Sequence, residues 1–206
     1  MEKFLNLPTE KQNIIIDAAL TSFGANGYKK TSIKDIASAA GISKAMIFHY
    51  FGTKKALYLY LINLCGSIFK NEMDEKFDNG ITDFFDRIML ATRIEISIMK
   101  KHPSIFSFLI SAYFENDGEV KADKDAILSN SEGEDFRRKI AFKGMDASKF
   151  KDGIDPKLVM KMLTLLGYGC INIASSKVKV NFDSLCKEFE ECINLLKNNL
   201  YKKEYL

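Results

Sequence analysis

Helical spacing of apolar residues along almost the whole chain, repeated helix-capping signals and the near absence of strand-like alternation predict an all-α protein. The composition agrees with this. At 206 residues, 47% hydrophobic and 28% charged, the chain can bury a sizeable core, and it contains no low-complexity tract or Pro/Gly-rich linker. The pattern resolves into about nine helices. Three of them form a short N-terminal domain over residues 1–52, and the rest form a larger helical domain over residues 53–206.

Thr9 followed by Gln12 has the form of a capping box, with Pro8 just outside it. The helix so opened places Ile15, Ile16, Ala19, Leu20 and Phe23 on one face, and Gly27 is its expected end. Ser32 and Asp35 open a second, short helix that buries Ile33, Ile36 and Ala37. It has to stop by Gly41, because a tight turn between helices needs a backbone position with positive φ. Ser43 then caps a third helix over residues 44–50. The spacing of Ile36, Ala37, Gly41, Ile42 and Ile47 fits a helix-turn-helix; an ordinary αα-hairpin is the competing reading.

The chemistry left outside favours the first. With Ile47 and Phe48 partly or wholly buried, Ser43, Lys44, Ala45, Met46, His49 and Tyr50 remain on the solvent side. Lys can bond phosphate or guanine, Ser and Tyr hydroxyls can bond phosphate, and Ala and Met can touch a thymine methyl. His49 taken singly is an ordinary surface histidine; its setting makes it a groove candidate. Thr31 and Ser32 before the second helix, and Thr53, Lys54 and Lys55 at the start of a fourth, supply further phosphate-binding groups. Charge points the same way: residues 1–65 hold eight lysines against four acidic residues, a net +4, while the remainder is 22 basic against 23 acidic.

Behind this lies a long amphipathic helix over residues 81–101, broken by His102-Pro103, and then a very apolar helix over 104–114. Residues 115–135 are acidic and turn-rich, a loop or a broken helix before a helix at 136–145. Pro156 starts an apolar helix to residue 176, and Asn181 or Asp183 starts the last helix, ending near residue 202. Met and Phe at helical spacing usually form core, yet they also line adaptable pockets. Phe85, Met89, Arg93, Phe106, Ile110, Tyr113 and Leu166 are the candidate pocket. Apolar residues circle the penultimate helix, so a second buried face is expected there. Met162, Leu166, Gly169 and Ile173 with Leu185, Phe189, Cys192, Ile193 and Leu196 of the last helix are the candidate interface of a homodimer; two ordinary core helices of a monomer are the alternative.

Other classes fit poorly. The chain has two histidines, no Cys or His cluster at metal-ligand spacing, and no P-loop or GxSxG element, so no catalysis, cofactor or metal is expected. The most apolar stretch, residues 158–174, carries Lys161 and Asn172 and is shorter than the roughly 20 residues of a bilayer span. The opening MEKFLNLPTEKQ has no apolar signal segment and the four cysteines form no CxxC pair, which places the expected location in the reducing cytoplasm, away from membranes.

The run from Ile14 to Ile62 resembles the N-terminal domain of the TetR family of transcriptional regulators. The likeness rests on Ala19, Phe23, Gly27 and Tyr28, on Ser32 to Ala37, on Ala40-Gly41-Ile42-Ser43-Lys44, and on Phe48 to Lys55; the family more often has Tyr where Phe48 stands. The resemblance implies a homodimer that sets two recognition helices in successive major grooves of a pseudo-palindromic operator in double-stranded DNA. It also implies a small-molecule effector, apolar or amphipathic, bound by the C-terminal domain, which spreads the heads and releases a repressor. A DNA-bound architectural or protein-responsive factor without a small ligand is the alternative.

Overall fold

The computed structural model describes residues 1–128, 131–175 and 181–206. Among these it contains eleven α-helices and no named strand. They are α1 (Glu2–Leu5), α2 (Thr9–Lys30), α3 (Ile33–Ala39), α4 (Lys44–Phe51), α5 (Lys54–Lys76), α6 (Phe84–Lys101), α7 (Pro103–Phe114), α8 (Lys121–Leu128), α9 (Ser131–Phe142), α10 (Pro156–Ser175) and α11 (Phe182–Leu200). The expected all-α class with an N-terminal helix-turn-helix is what is found. The two helices beyond the expected nine are α1 and α8; residue 176, the expected end of α10, lies outside the described residues. The chain divides into two compact units, one of residues 1–70 and 101–130, the other of residues 71–100 and 131–206. Compactness therefore does not follow the 52/53 boundary: most of α5, α7 and α8 belong with the N-terminal helices.

In the first unit, the expected capping box at Thr9 is absent. Pro8 occupies the cap position without a side-chain bond, and Gln12 instead donates through Nε2 to the carbonyls of Leu5 and Leu7. It thus ties α2 to α1, whose Phe4 is fully buried against Phe51, Tyr60 and Tyr50. Gly27 interrupts α2 with φ 70, the left-handed conformation that glycine takes without a Cβ clash. Ile15, Ala19, Leu20 and Phe23 are core, as their spacing demands.

Helix α7 lies directly on α2. A Cβ at Gly24 would stand 3.0 Å from the Phe108 backbone nitrogen and from Ser107 Cβ, so any larger residue requires α7 to give way by a few tenths of an ångström. Ser111 donates through Oγ to the Phe23 carbonyl, and Ser104 does so to the Asp17 carboxylate. Glu115, just past α7, accepts the Tyr28 amide at 2.7 Å on one oxygen and the Asn116 and Asp117 amides on the other. Phe23, Tyr28, Tyr58 and Phe108 close the centre as a four-ring cluster.

The second unit is built on Phe84, Phe85, Ile88 and Met89 of α6, Val159 and Leu163 of α10, and Phe189 and Ile193 of α11. Phe150 and Tyr201 form an isolated antiparallel bridge that joins the residues before α10 to the chain end. Among the described residues of this unit, two charged side chains are buried. Arg87 is 0% exposed; its Nε donates to the Ile140 carbonyl and its Nη1 to the Ile81 carbonyl, while its guanidinium lies over the Phe77 ring at 4.9 Å. Asp83 accepts the amides of Phe85 and Asp86 at the start of α6, the Tyr201 hydroxyl, and the ammonium groups of Lys149 at 3.0 Å and Lys197 at 3.2 Å.

Burial pushes the Asp83 carboxyl up, but the Asp86 amide and the two lysines pull harder, and its pKa lies below the ordinary aspartate value. A carboxyl held below its unfolded value contributes stability that is complete above about pH 4 and is lost as pH falls through the folded value. Acid unfolding of this unit should therefore set in below about pH 4. In Asp83→Asn the neutral-pH stability should drop and the acid limb flatten in chemical denaturation; an unchanged acid limb would contradict this account.

Candidate nucleic-acid interface

The turn between α3 and α4 is set by local chemistry. The Ser32 side chain accepts the Lys34 amide at the start of α3, Ala40 ends that helix, and Gly41 turns the chain with φ 67. The Ile42 amide returns to the Ala37 carbonyl at 3.0 Å, which closes the turn over the small, buried Ala37. Ser43 then accepts the Met46 amide and starts α4. Gly52, with φ 77, ends it, and Thr53 caps α5 by accepting the Ala56 amide at 2.9 Å.

Helix α4 is rotated so that Ile47, Tyr50 and Phe51 face the core. At about 100° per residue, the open face is centred on Ala45 and His49, with Lys44 and Phe48 on one flank and Met46 on the other. This exchanges two expected positions. Phe48 is 39% exposed, whereas Tyr50 is only 7% exposed, its ring drawn in beside Phe4. The Lys44 ammonium stands 5.6 Å from the centre of the Phe48 ring. Phe48 was legible in principle, since it sits a third of a turn from Ile47 and outside the 47, 50, 51 stripe.

The other expected contacts divide. Lys44, Ala45, Met46 and His49 are all exposed on one face, with Ser43 at its N-terminal edge. Ser32 is half-buried in its capping role. Thr31 is 4% exposed, and its hydroxyl lies 2.6 Å from the Gly27 carbonyl and 3.0 Å from that of Ser22, so it secures the α2 kink instead of facing outward. Lys54 donates to the Lys29 carbonyl and lies 4.5 Å from the centre of the Tyr28 ring. Lys55 pairs with Asp123 of α8 at 2.6 Å. The expected clamp lysines are thus engaged within the unit, while Lys29, Lys30 and Lys34 stand exposed around α3 and were missed as candidates.

The candidate pocket residues fall in both units. Phe106, Ile110 and Tyr113 lie in the first, where Phe106 is buried and Tyr113 exposed. Phe85, Met89, Arg93 and Leu166 lie in the second. Phe85 and Met89 are core residues with Leu166 packed against them, and Arg93 is exposed in an ion pair with Glu190 at 2.9 Å. Two residues along α6, Glu95 is exposed as well.

Of the candidate pairing residues, Phe189 and Ile193 are buried in their own unit and Leu166 and Leu196 pack against that core, so this part of the expected interface is corrected. Leu185 and Cys192 are half-buried. Gly169 is exposed, and a Cβ there or at Gly167 would meet nothing within 4 Å in the chain. Met162 and Ile173 are exposed, in line with Leu158 and Leu165, the latter 61% exposed, and Leu195 of α11 is exposed too. Among the described residues no helix is long and apolar enough to cross a membrane, and no group of three His, Cys, Asp or Glu could hold a metal.

Residues 15–61 match the model of the bacterial regulatory proteins of the tetR family. Over 54 residues, 26% of this chain and 19% of the relative, the sequence is 43% identical to the HTH-type transcriptional regulator YuxN of Bacillus subtilis. Over 57 residues it is 37% identical to the biofilm operon icaADBC negative transcriptional regulator IcaR of Staphylococcus aureus, covering 28% of this chain and 31% of that one. The matched stretch thus spans less than a third of either curated relative. The fold extends further: a TetR family transcriptional regulator from Chloroflexus aurantiacus superposes with a TM-score of 0.70 at 23% identity, over 98% of this chain and 99% of that one. The regulator FadR from Bacillus subtilis in complex with stearoyl-CoA superposes with a TM-score of 0.65 at 19% identity, over 88% and 96%.

Proposed function

We propose, from the match of residues 15–61 to the tetR family of bacterial regulatory proteins, that the chain is a sequence-specific DNA-binding transcriptional repressor acting as a homodimer. Residues 1–52 contact the operator and residues 53–206 carry effector binding and pairing. The observation that carries this reading is the open face of α4, where Lys44, Ala45, Met46, Phe48 and His49 project together from a helix fixed by Ser43 at one end and Gly52 at the other. A helix so presented fits the major groove, and the exposed Lys29, Lys30 and Lys34 of the neighbouring segment would supply phosphate contacts.

Pairing is supported by the exposed apolar stripe Leu158, Met162, Leu165 and Ile173 on α10 with Leu195 on α11. A row of this kind at helical spacing suits an isologous contact with a second copy, and exposed Gly169 lets the two backbones come close. Release by a small apolar or amphipathic effector completes the proposal. Its support is the likeness to a fold that in one protein holds stearoyl-CoA. Repression follows the negative regulator among the relatives.

The test is titration of the protein into a labelled duplex recovered by selection from a random-sequence pool, at several salt concentrations. Two chains should bind per duplex. Affinity should fall by roughly a thousandfold or more between about 50 and 200 mM salt if six or more phosphates are neutralised. One chain per duplex, or a flat salt response, would overturn the proposal.

A further inference from the structure

We infer that α4 selects its DNA chiefly through thymine methyl groups, and that Phe48 sets this preference. The inference rests on the DNA-binding reading of α4 and names what that face recognises. Three of the five residues on it, Ala45, Met46 and Phe48, have neither a hydrogen-bond donor nor a strong acceptor. In the major groove the one base feature such side chains distinguish is the C5 methyl of thymine, since every other mark there is a donor or an acceptor. Phe48 presents the largest apolar surface of the three and is 39% exposed.

Phe48 stands outside the buried stripe of α4 formed by Ile47, Tyr50 and Phe51. Its ring meets no other ring among the described residues, and the Lys44 ammonium, one helical turn earlier, stands 5.6 Å from its centre. That pairing helps hold the ring on the outer flank of α4 and sets a positive charge beside it, the combination that lets an apolar group approach a polyanion. The surrounding charge agrees: Lys29, Lys30 and Lys34 are exposed on the neighbouring segment, and residues 1–65 carry a net +4. Phe48 also has no hydroxyl with which to bond phosphate, so its contribution depends on what lies in the groove and not on the backbone beside it.

The experiment uses the full chain and one selected duplex made in two forms, with thymidine and with deoxyuridine throughout the half-sites. Deoxyuridine removes the methyl and leaves every hydrogen-bonding group in place. The wild type should bind the deoxyuridine form roughly tenfold more weakly, the scale of one poorly matched base pair. Phe48→Ala should lose most of this discrimination, leaving about a twofold difference or less from Ala45 and Met46, with an unchanged salt slope; Phe48→Gln serves the same purpose if the alanine variant melts early. Equal wild-type affinity for the two forms, with steep salt dependence kept, would overturn the inference and leave DNA binding standing. Discrimination kept in the Phe48 variants would overturn the assignment to Phe48. Failure of any sequence to enrich in the selection would overturn the DNA-binding reading beneath it.

Discussion

Gly24→Val is expected to destabilise the first unit by about 3 kcal/mol or more, at the upper end of what overpacking costs. Two effects compete at this site. Any residue with a Cβ gains helical propensity over glycine, worth about 1 kcal/mol for alanine and less for valine. Against that, the added carbon lands 3.0 Å from the Phe108 backbone nitrogen and 3.1 Å from the Ser107 backbone carbon. These atoms cannot swing aside as a flexible side chain would. Relief requires α7 to lift from α2, which stretches the Ser111 bond to Phe23 and the Glu115 bond to Tyr28 together. Gly24→Ala should show the balance directly, with a smaller loss of about 1 kcal/mol. The check is the urea midpoint followed by circular dichroism, and a Gly24→Ala protein more stable than wild type would refute the close approach.

Arg87→Met is expected to cost about 2 to 4 kcal/mol in the second unit. Replacing a buried charge by an apolar residue of similar size is often neutral, because the desolvation penalty disappears with the charge. Here the partners are not another charge but two backbone carbonyls, those of Ile81 and Ile140, which stay behind. Ile140 lies in the last turn of α9, where carbonyls have no donor within the helix. Each orphaned group costs about 1 to 3 kcal/mol, and relief of the buried guanidinium offsets part of the sum. Arg87→Lys should fail to rescue, since a single ammonium cannot fork to both carbonyls and lie flat on Phe77. Full stability in Arg87→Lys would show that charge alone matters at this position.

Features of this chain differ in how far the sequence announces them. The helix-turn-helix is legible because its determinants are local: Ser32 and Ser43 cap within three residues, and Gly41 has to supply a positive φ in a turn of fixed length. The rotation of α4 is not local. It depends on Phe4, in a helix of four residues too short to show any period, which draws Tyr50 and Phe51 inward and so leaves Phe48 outside. Arg87 is hidden for a similar reason, since a charged residue on an amphipathic helix reads as solvated until the segment over it is placed. On α10 the all-round apolarity was visible, but which arc faces its own core depended on Val159 and Leu163 meeting α11, a contact across distant sequence. Lys54 and Lys55 looked like free cations because Tyr28 and Asp123, which engage them, lie far away in the chain.

The Lys55–Asp123 pair turns what would be a monopole into a short dipole. Beyond a Debye length, about 8 Å at physiological salt, an approaching polyanion sees little of either charge, so the pair adds almost nothing to long-range steering. At contact the situation reverses. Both groups are partly exposed, and such a pair is worth no more than about 1 kcal/mol, so the ammonium can exchange Asp123 for a phosphate at little cost. On the proposed DNA-binding reading, with Lys55 added to the contacts of residues 1–52, the lysine would be absent from the capture step and present in the bound state, contributing to how long a complex lasts without affecting how fast it forms.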